Sequence, residues 1–172
     1  NILMYNEAGS AGGGIYLIRA DGNGSRAKRR HMSKNNIETL KIIINNHNVH
    51  YLKAGSGPPV VLLHGGASDS SDWTGAITAL SPCHSLYAPD IIGFGASDRL
   101  DSGYHLTEFA EFATEFIRRM GLDTPALVGH SFGGRLCIEV ALRHPELVSR
   151  LVLIDSAGLG EVSRLGNSVL TA

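Results

Sequence analysis

The apolar run Val60-Val61-Leu62-Leu63 limits the possible folds of this chain more than any other segment does. It contains no polar residue, and it lies between the Gly/Pro-rich segment 55–59 and the turn His64-Gly65-Gly66. A strand with one face in water alternates apolar and polar residues, whereas a strand buried on both faces is apolar throughout. Burial on both faces requires a covering layer on each side of a sheet, so this run favours an α/β architecture.

Short apolar runs alternate with helical patterns along the rest of the chain. Strands are predicted over residues 39–44, 49–53, 60–63, 84–88, 126–129 and 149–154, and helices over 71–80, 107–120 and 133–143. The first two strands flank a turn at 45–48 and predict a hairpin. Strands that alternate with helices predict a parallel sheet with crossover connections. The expected fold class is therefore α/β, a mostly parallel sheet with flanking helices that stops after the strand 149–154.

Residues 1–34 differ in composition from the rest of the chain. They are rich in glycine and carry the basic cluster Arg26–Arg30. Such a segment buries little apolar surface, which predicts a disordered tail or a leader that precedes a natural start at Met32. A solvated tail is favoured over a nucleic-acid-binding or targeting signal for the basic cluster. The folded core is expected over residues 35–160.

Charge and cysteine content exclude several classes of partner. The formal net charge is −1, and no apolar run is long enough to span a membrane, so neither nucleic acid nor a membrane is an expected partner. Cys83 and Cys137 are interpreted as free thiols of a reducing, cytoplasmic compartment rather than as a disulfide or a metal site. No metal or other cofactor is expected, and the oligomeric state stays open.

Ser131 carries the strongest chemical signal. The segment Gly129-His130-Ser131-Phe132-Gly133 lies between the predicted strand 126–129 and the predicted helix 133–143. A serine in a tight strand-to-helix turn, with small residues on either side, is typical of a nucleophile elbow. The alternative is a chance match in a chain with 21 glycines, and the strand before and helix after disfavour it. Ser131 is therefore the candidate nucleophile.

The turn after the run 60–63 supplies a second part of the site. The backbone N–H groups of Gly66 and Phe132 are the candidate donors of an oxyanion hole.

Three side chains are candidates for the substrate pocket. His64 is expected to stabilise its turn rather than to carry a proton. Trp73 is as consistent with the core as with the pocket entrance. His130 is expected to pack or line the pocket rather than to act as the base.

Four blocks of sequence together resemble the α/β-hydrolase fold superfamily. They are Leu62–Gly66, Pro89–Asp98, Val128–Gly134 and Leu151–Asp155. Over residues 37–160 their order and spacing are similar to those of cap-domain hydrolases, which include esterases and meta-cleavage-product hydrolases. The resemblance implies a small-molecule acyl substrate and a serine hydrolase acting on carboxylic esters or similar compounds. Haloalkane dehalogenases and epoxide hydrolases of this fold have an aspartate where Ser131 stands.

The resemblance also implies what this chain lacks. Catalytic residues in this family follow the order Ser, Asp or Glu, then His, and no histidine follows His144. The base is therefore expected to be absent from these 172 residues. Asp155 is a minority candidate for the acid, and residues 161–172 would begin a cap region. Carbon–carbon bond hydrolysis is one alternative function, and a non-catalytic binding protein or inactive fragment is another.

Overall fold

A single mixed sheet organises the part of the chain that the structure describes. This computed structural model describes residues 37–100 and 104–159, together with the strand at residues 3–5. The strands are β1 Leu3–Tyr5, β2 Glu38–Ile44, β3 His47–Ala54, β4 Pro59–Leu63, β5 Ser85–Pro89, β6 Ala126–His130 and β7 Arg150–Ile154. The helices are α1 Thr74–Leu80, α2 Leu106–Arg119 and α3 Phe132–Arg143, with short 3-10 turns at Ser70–Trp73 and Pro145–Leu147.

The strand order confirms the predicted fold class. The sheet runs β1-β7-β6-β4-β5-β3-β2. Strands β5, β4, β6 and β7 pair in parallel, whereas β2 pairs with β3 and β3 with β5 in antiparallel register. The antiparallel edge is the predicted hairpin, and Asn45 and Asn46 adopt positive φ angles of 47° and 67° in its turn. Asparagine tolerates this conformation better than most residues do.

One strand lies in the segment predicted to be a disordered tail. Leu3–Tyr5 pairs in parallel with β7, with Leu3 opposite Val152 and Tyr5 opposite Ile154. The edge of β7 offers unpaired N–H and C=O groups to an extended segment, and the expectation of a disordered tail or leader over residues 1–34 stays a prediction. Such a pairing joins residues far apart in sequence and leaves no periodic signal. The rest of residues 1–34, and the predicted cap region at 161–172, lie outside the described residues.

The apolar run Val60–Leu63 is buried on both faces of the sheet. Val60, Val61, Leu62 and Leu63 are at most 7% exposed. Val61 and Leu63 pack in the cluster that includes α2 and α3, and Val60 and Leu62 pack in a second cluster with α1. Alternate side chains of a strand point to opposite faces. The helices therefore cover the sheet on the two sides that the apolar run required.

Helix α2, predicted over residues 107–120, buries one apolar stripe against the core. Its buried residues recur at three- and four-residue spacing and are Phe109, Ala110, Phe112, Ala113, Thr114, Phe116 and Ile117. Gly121 has a φ of 62° just after the last turn, a conformation that glycine adopts without strain. The predicted helix 71–80 differs slightly, since its first three residues belong to the 3-10 turn Ser70–Trp73 and α1 begins at Thr74.

Replacing Gly75 by alanine should stabilise the protein. A Cβ placed on Gly75 in α1 meets no atom within 4 Å, and alanine restricts the unfolded chain more than glycine does. The expected increase in the free energy of unfolding is about 0.5 kcal/mol, measured by urea denaturation. A decrease in stability would contradict the open surroundings that the structure gives this position.

Candidate active site

The predicted motifs converge at one edge of the sheet. Strands β4, β5, β6 and β7 are parallel, so their carboxyl ends lie at the same edge. His64, Asp90, Ser131 and Asp155 each follow directly after one of these strands. Ligands of open α/β sheets bind at this edge. The topology therefore places the candidate nucleophile and the glycine turn beside each other, although they are far apart in sequence.

Ser131 occupies a strained turn between β6 and α3. Its backbone angles are φ 49° and ψ −114°, which lie outside the regions that residues with a Cβ favour. The Ser131 N–H donates to the Ile154 carbonyl at 3.0 Å, and the Ser131 carbonyl accepts from the N–H groups of Arg135 and Ala157 at 3.2 and 3.0 Å. Bonds from α3 and from the exit of β7 therefore hold the strained residue in place.

Glycines allow the elbow to pack closely against its neighbours. A Cβ on Gly133 would lie 2.2 Å from the Leu63 carbonyl oxygen, and one on Gly129 would lie 2.4 Å from the Gly133 oxygen. Both contacts are with backbone, which moves less readily than the end of a side chain. The small residues predicted around Ser131 are thus required by the close approach of β4 and β6 to the start of α3.

The two candidate oxyanion donors lie on neighbouring segments. Gly66 is exposed, and a Cβ on it would lie 3.8 Å from the Cβ of Phe132. A Cβ on the adjacent Gly65 would lie 3.5 Å from the Cβ of Ser131. Phe132 is the first residue of α3, where N–H groups have no partner within the helix. The turn after β4 and the start of α3 therefore flank Ser131, as an oxyanion hole requires.

His64 is a buried structural residue rather than part of a pocket. It is 0% exposed. Its Nδ1 lies 2.7 Å from the Gly65 carbonyl oxygen, and its Nε2 accepts a hydrogen bond from the Ile91 N–H at 2.9 Å. These partners require the neutral ring with its proton on Nδ1. The assignment of His64 to the substrate pocket is wrong, and the turn-stabilising alternative fits the geometry.

Trp73 also lies in the core. It is 3% exposed and packs with Leu62 and Ile77 on the α1 side of the sheet. Its buried Nε1 has no hydrogen-bond partner among the described residues. Its burial therefore fits the core alternative rather than the pocket entrance.

His130 and Asp155 are both exposed at the sheet edge. The Nδ1 atom of His130 lies 3.0 Å from the position that a Cβ on Gly65 would take, which places the ring over the glycine turn and suits the predicted lining role. Asp155 has a φ of 43° at the end of β7. Among the described residues, no hydrogen bond or ion pair joins its carboxyl group to a histidine. Its candidacy as the acid stays a prediction.

Aromatic packing around Phe132 was not predicted from the sequence. The Phe132 ring meets Phe109 of α2 edge-on at a centroid distance of 5.0 Å, and it lies 6.2 Å from Phe94. Phe109 belonged to the apolar stripe of α2, but the stripe alone did not show which residue it would contact. These contacts fix the first turn of α3, and with it the Phe132 N–H, against α2.

The described residues show few features of other classes of site. Within residues 37–100 and 104–159, no group of three or more His, Cys, Asp or Glu side chains is placed to hold a metal ion. Cys83 and Cys137 are free thiols, and burial raises the pKa of Cys137. None of the described helices combines the length and the apolar character needed to cross a membrane.

Stability should fall in acid because of His64. Burial lowers the pKa of His64 below its ordinary value of 6.5. Above that value both folded and unfolded states hold a neutral ring, so the shift contributes nothing. At a pH below 6.5 the unfolded chain binds a proton at His64 more readily than the folded chain does, so the free energy of unfolding decreases.

We expect the free energy of unfolding to decrease as the pH falls below about 6.5, measured by urea denaturation. The variant His64→Asn should lack this part of the pH dependence. NMR of the imidazole rings should show His64 still neutral, with its proton on Nδ1, at a pH where an ordinary histidine is half protonated. A His64 ring that titrates normally would contradict the prediction.

Comparison with known proteins agrees with the fold described above. The family model described as the alpha/beta hydrolase fold matches residues 58–168. A soluble epoxide hydrolase of Corynebacterium is 34% identical over 113 residues, which cover 66% of this chain and 40% of that protein. A 2-hydroxymuconate semialdehyde hydrolase of Pseudomonas putida is 40% identical over 108 residues, which cover 61% of this chain and 38% of that protein.

A solved structure shows the same architecture. The 2-hydroxy-6-oxo-6-phenylhexa-2,4-dienoate hydrolase of Rhodococcus matches with a TM-score of 0.70 and 27% identity, covering 76% of this chain and 50% of that chain. The matched part of the chain spans less than half the length of its curated relatives, for example 31% of an uncharacterised Mycobacterium bovis protein and 40% of the Corynebacterium epoxide hydrolase. Because the family model matches residues 58–168, more than half of the chain, the chain belongs to the alpha/beta hydrolase fold family.

Proposed function

We propose that Ser131 is the nucleophile of a hydrolase that acts on a carboxylic ester or a similar small acyl substrate. The observation that carries the proposal is the strained backbone of Ser131, φ 49° and ψ −114°, held between β6 and α3 beside the glycine turn. Strain of this kind persists only where the surroundings enforce it, and it is concentrated at functional sites.

The proposed chemistry uses the two backbone donors. The Ser131 Oγ attacks the substrate carbonyl carbon, and the N–H groups of Gly66 and Phe132 stabilise the negative charge that develops on the carbonyl oxygen. A serine hydroxyl needs a general base to accept its proton. We place that base, and the principal acid, outside these 172 residues, because no histidine follows His144 in the sequence.

Carbon–carbon bond hydrolysis of a dienoate is the second candidate. The relative named 2-hydroxymuconate semialdehyde hydrolase is 40% identical to this chain in the matched region, and the same nucleophile and oxyanion donors would serve. Epoxide hydrolysis is less favoured although one relative carries that name, because the fold's epoxide hydrolases are expected to have an aspartate at the position of Ser131. We place the protein in the cytoplasm on the strength of its two free thiols.

The isolated chain should hydrolyse p-nitrophenyl acetate no faster than its Ser131→Ala variant, because it lacks the base. Added imidazole should act as a substitute base and promote attachment of a fluorophosphonate probe at Ser131. Mass spectrometry of the digested protein locates the modified residue, and circular dichroism confirms that the chain is folded. The proposal is supported if the probe modifies Ser131 and no other residue, and if the extent of modification rises with imidazole concentration. A folded chain that remains unmodified at Ser131 overturns it.

A further inference from the structure

Asp90 is a buried carboxylate at the centre of the loops that build the site. It follows β5 and is 2% exposed. Removing a carboxylate from water costs several kcal/mol unless donors surround it. In this structure its two oxygens accept from three groups that belong to three separate parts of the chain, so the burial is matched by directional bonds.

The three donors connect Asp90 with β3, with the loop after β4 and with the loop 90–98 after β5. Asp90 Oδ1 accepts from the Ser70 N–H at 2.8 Å, and Oδ2 accepts from the Ala96 N–H at 2.7 Å. His50 Nδ1 lies 2.8 Å from Oδ2. Gly95 makes room for this arrangement, because a Cβ there would lie 2.2 Å from Oδ2.

The loop that carries Gly66 is tied to the end of β5 at both of its ends. At the first end, His64 Nε2 accepts from the N–H of Ile91. At the second end, the Ser70 N–H donates to Asp90, the residue before Ile91. Between these two bonds the loop 65–69 has no strand or helix to hold it. The position of the Gly66 N–H therefore depends on two consecutive residues of another loop.

We propose that Asp90 is a positioning residue that sets the Gly66 N–H at the correct distance from Ser131 for oxyanion stabilisation. The inference rests on the proposed function of Ser131 and Gly66. Asp90 touches no reacting atom and acts only through Ser70 and the loop. Misplacing a catalytic group by about 1 Å can reduce a rate about 100-fold, so the effect should be visible in the reactivity of Ser131.

Two variants test the proposal in the full chain. Asp90→Asn places an amide N–H₂ against at least one N–H donor. Ser70→Pro removes the Ser70 N–H, together with the hydroxyl group, and leaves Asp90 in place. The preceding Asp69 is extended, with φ −150° and ψ −177°, which suits a following proline at the first position of a helical turn. Asp98→Asn is the matched control, because Asp98 also accepts a backbone N–H, from Asn48, but no hydrogen bond joins it to the described loop 64–70.

Two readouts separate positioning from general stability. The first is the rate of imidazole-supported fluorophosphonate attachment at Ser131, which should fall about 100-fold in Asp90→Asn and Ser70→Pro and stay near the wild-type value in Asp98→Asn. The second is the NMR shift and hydrogen exchange of the Gly66 amide, which should change while those of the Leu127 amide in β6 do not.

The outcomes are distinguishable. If Asp90→Asn does not fold, Ser70→Pro decides. A folded Ser70→Pro variant with an unchanged Gly66 amide and an unchanged rate overturns the role of Asp90. If the folded wild-type chain is not modified at Ser131, the proposed function fails, and the Gly66 amide alone still tests whether Asp90 places that loop.

Discussion

The variant Gly133→Ala should lose more than about 3 kcal/mol of stability and fail to populate the native fold fully. Its Cβ would lie 2.2 Å from the Leu63 carbonyl oxygen and 2.5 Å from that of His64. Both oxygens belong to backbone at the end of β4, in the middle of the sheet. To relieve these clashes, α3 would have to move away from β4. That movement would also separate Phe132 from the turn that carries Gly66.

The matched control is Gly75→Ala, the same substitution where a Cβ meets no atom within 4 Å. Urea denaturation of the two variants should give changes of opposite sign. Because Gly133 has no positive φ, any loss at this position arises from the close approach and not from backbone conformation. Equal stability of the two variants would mean that β4 and α3 are farther apart than the structure has them.

Residues whose surroundings are local in sequence were predictable. The run 60–63 has no polar residue, and burial on both faces follows from that fact alone. The elbow at Ser131 was predictable because the strand before it, the glycines around it and the helix after it are all encoded within residues 126–143. Both predictions needed only periodicity and the steric demands of a tight turn.

Residues whose surroundings come from distant parts of the chain were not predictable. The turn-stabilising role of His64 and the core alternative for Trp73 were both weighed from the sequence. The residues that each side chain contacts could not be named, because they lie in distant parts of the chain. The partner of His64 is the backbone of Ile91. Ser70 and His50, two of the partners of Asp90, are likewise far from it in sequence, so no local spacing shows that its carboxyl group binds the loop that holds Gly66.

Ser131→Gly should be more stable than Ser131→Ala by about 1.5 kcal/mol, although both variants lose the hydroxyl group of the proposed nucleophile. With φ 49° and ψ −114°, residue 131 pays a conformational cost of about 1–3 kcal/mol whenever it carries a Cβ. Glycine avoids that cost, but it lowers the free energy of unfolding by about 0.5–1 kcal/mol, because the unfolded chain is more flexible with glycine than with alanine. Urea denaturation of the two variants isolates the strain, since neither has the hydroxyl group.

The opposite order, with Ser131→Ala the more stable variant, would show that the backbone at this position is unstrained. If the expected order holds, the hydrogen bonds that join the Ser131 backbone to Ile154, Arg135 and Ala157 are strong enough to keep the residue in a conformation that it would not adopt by itself. The elbow would then be rigid before any substrate arrives. That rigidity is what a fixed distance between the Ser131 hydroxyl and the N–H groups of Gly66 and Phe132 requires, because preorganised donors stabilise a transition state without moving during the reaction.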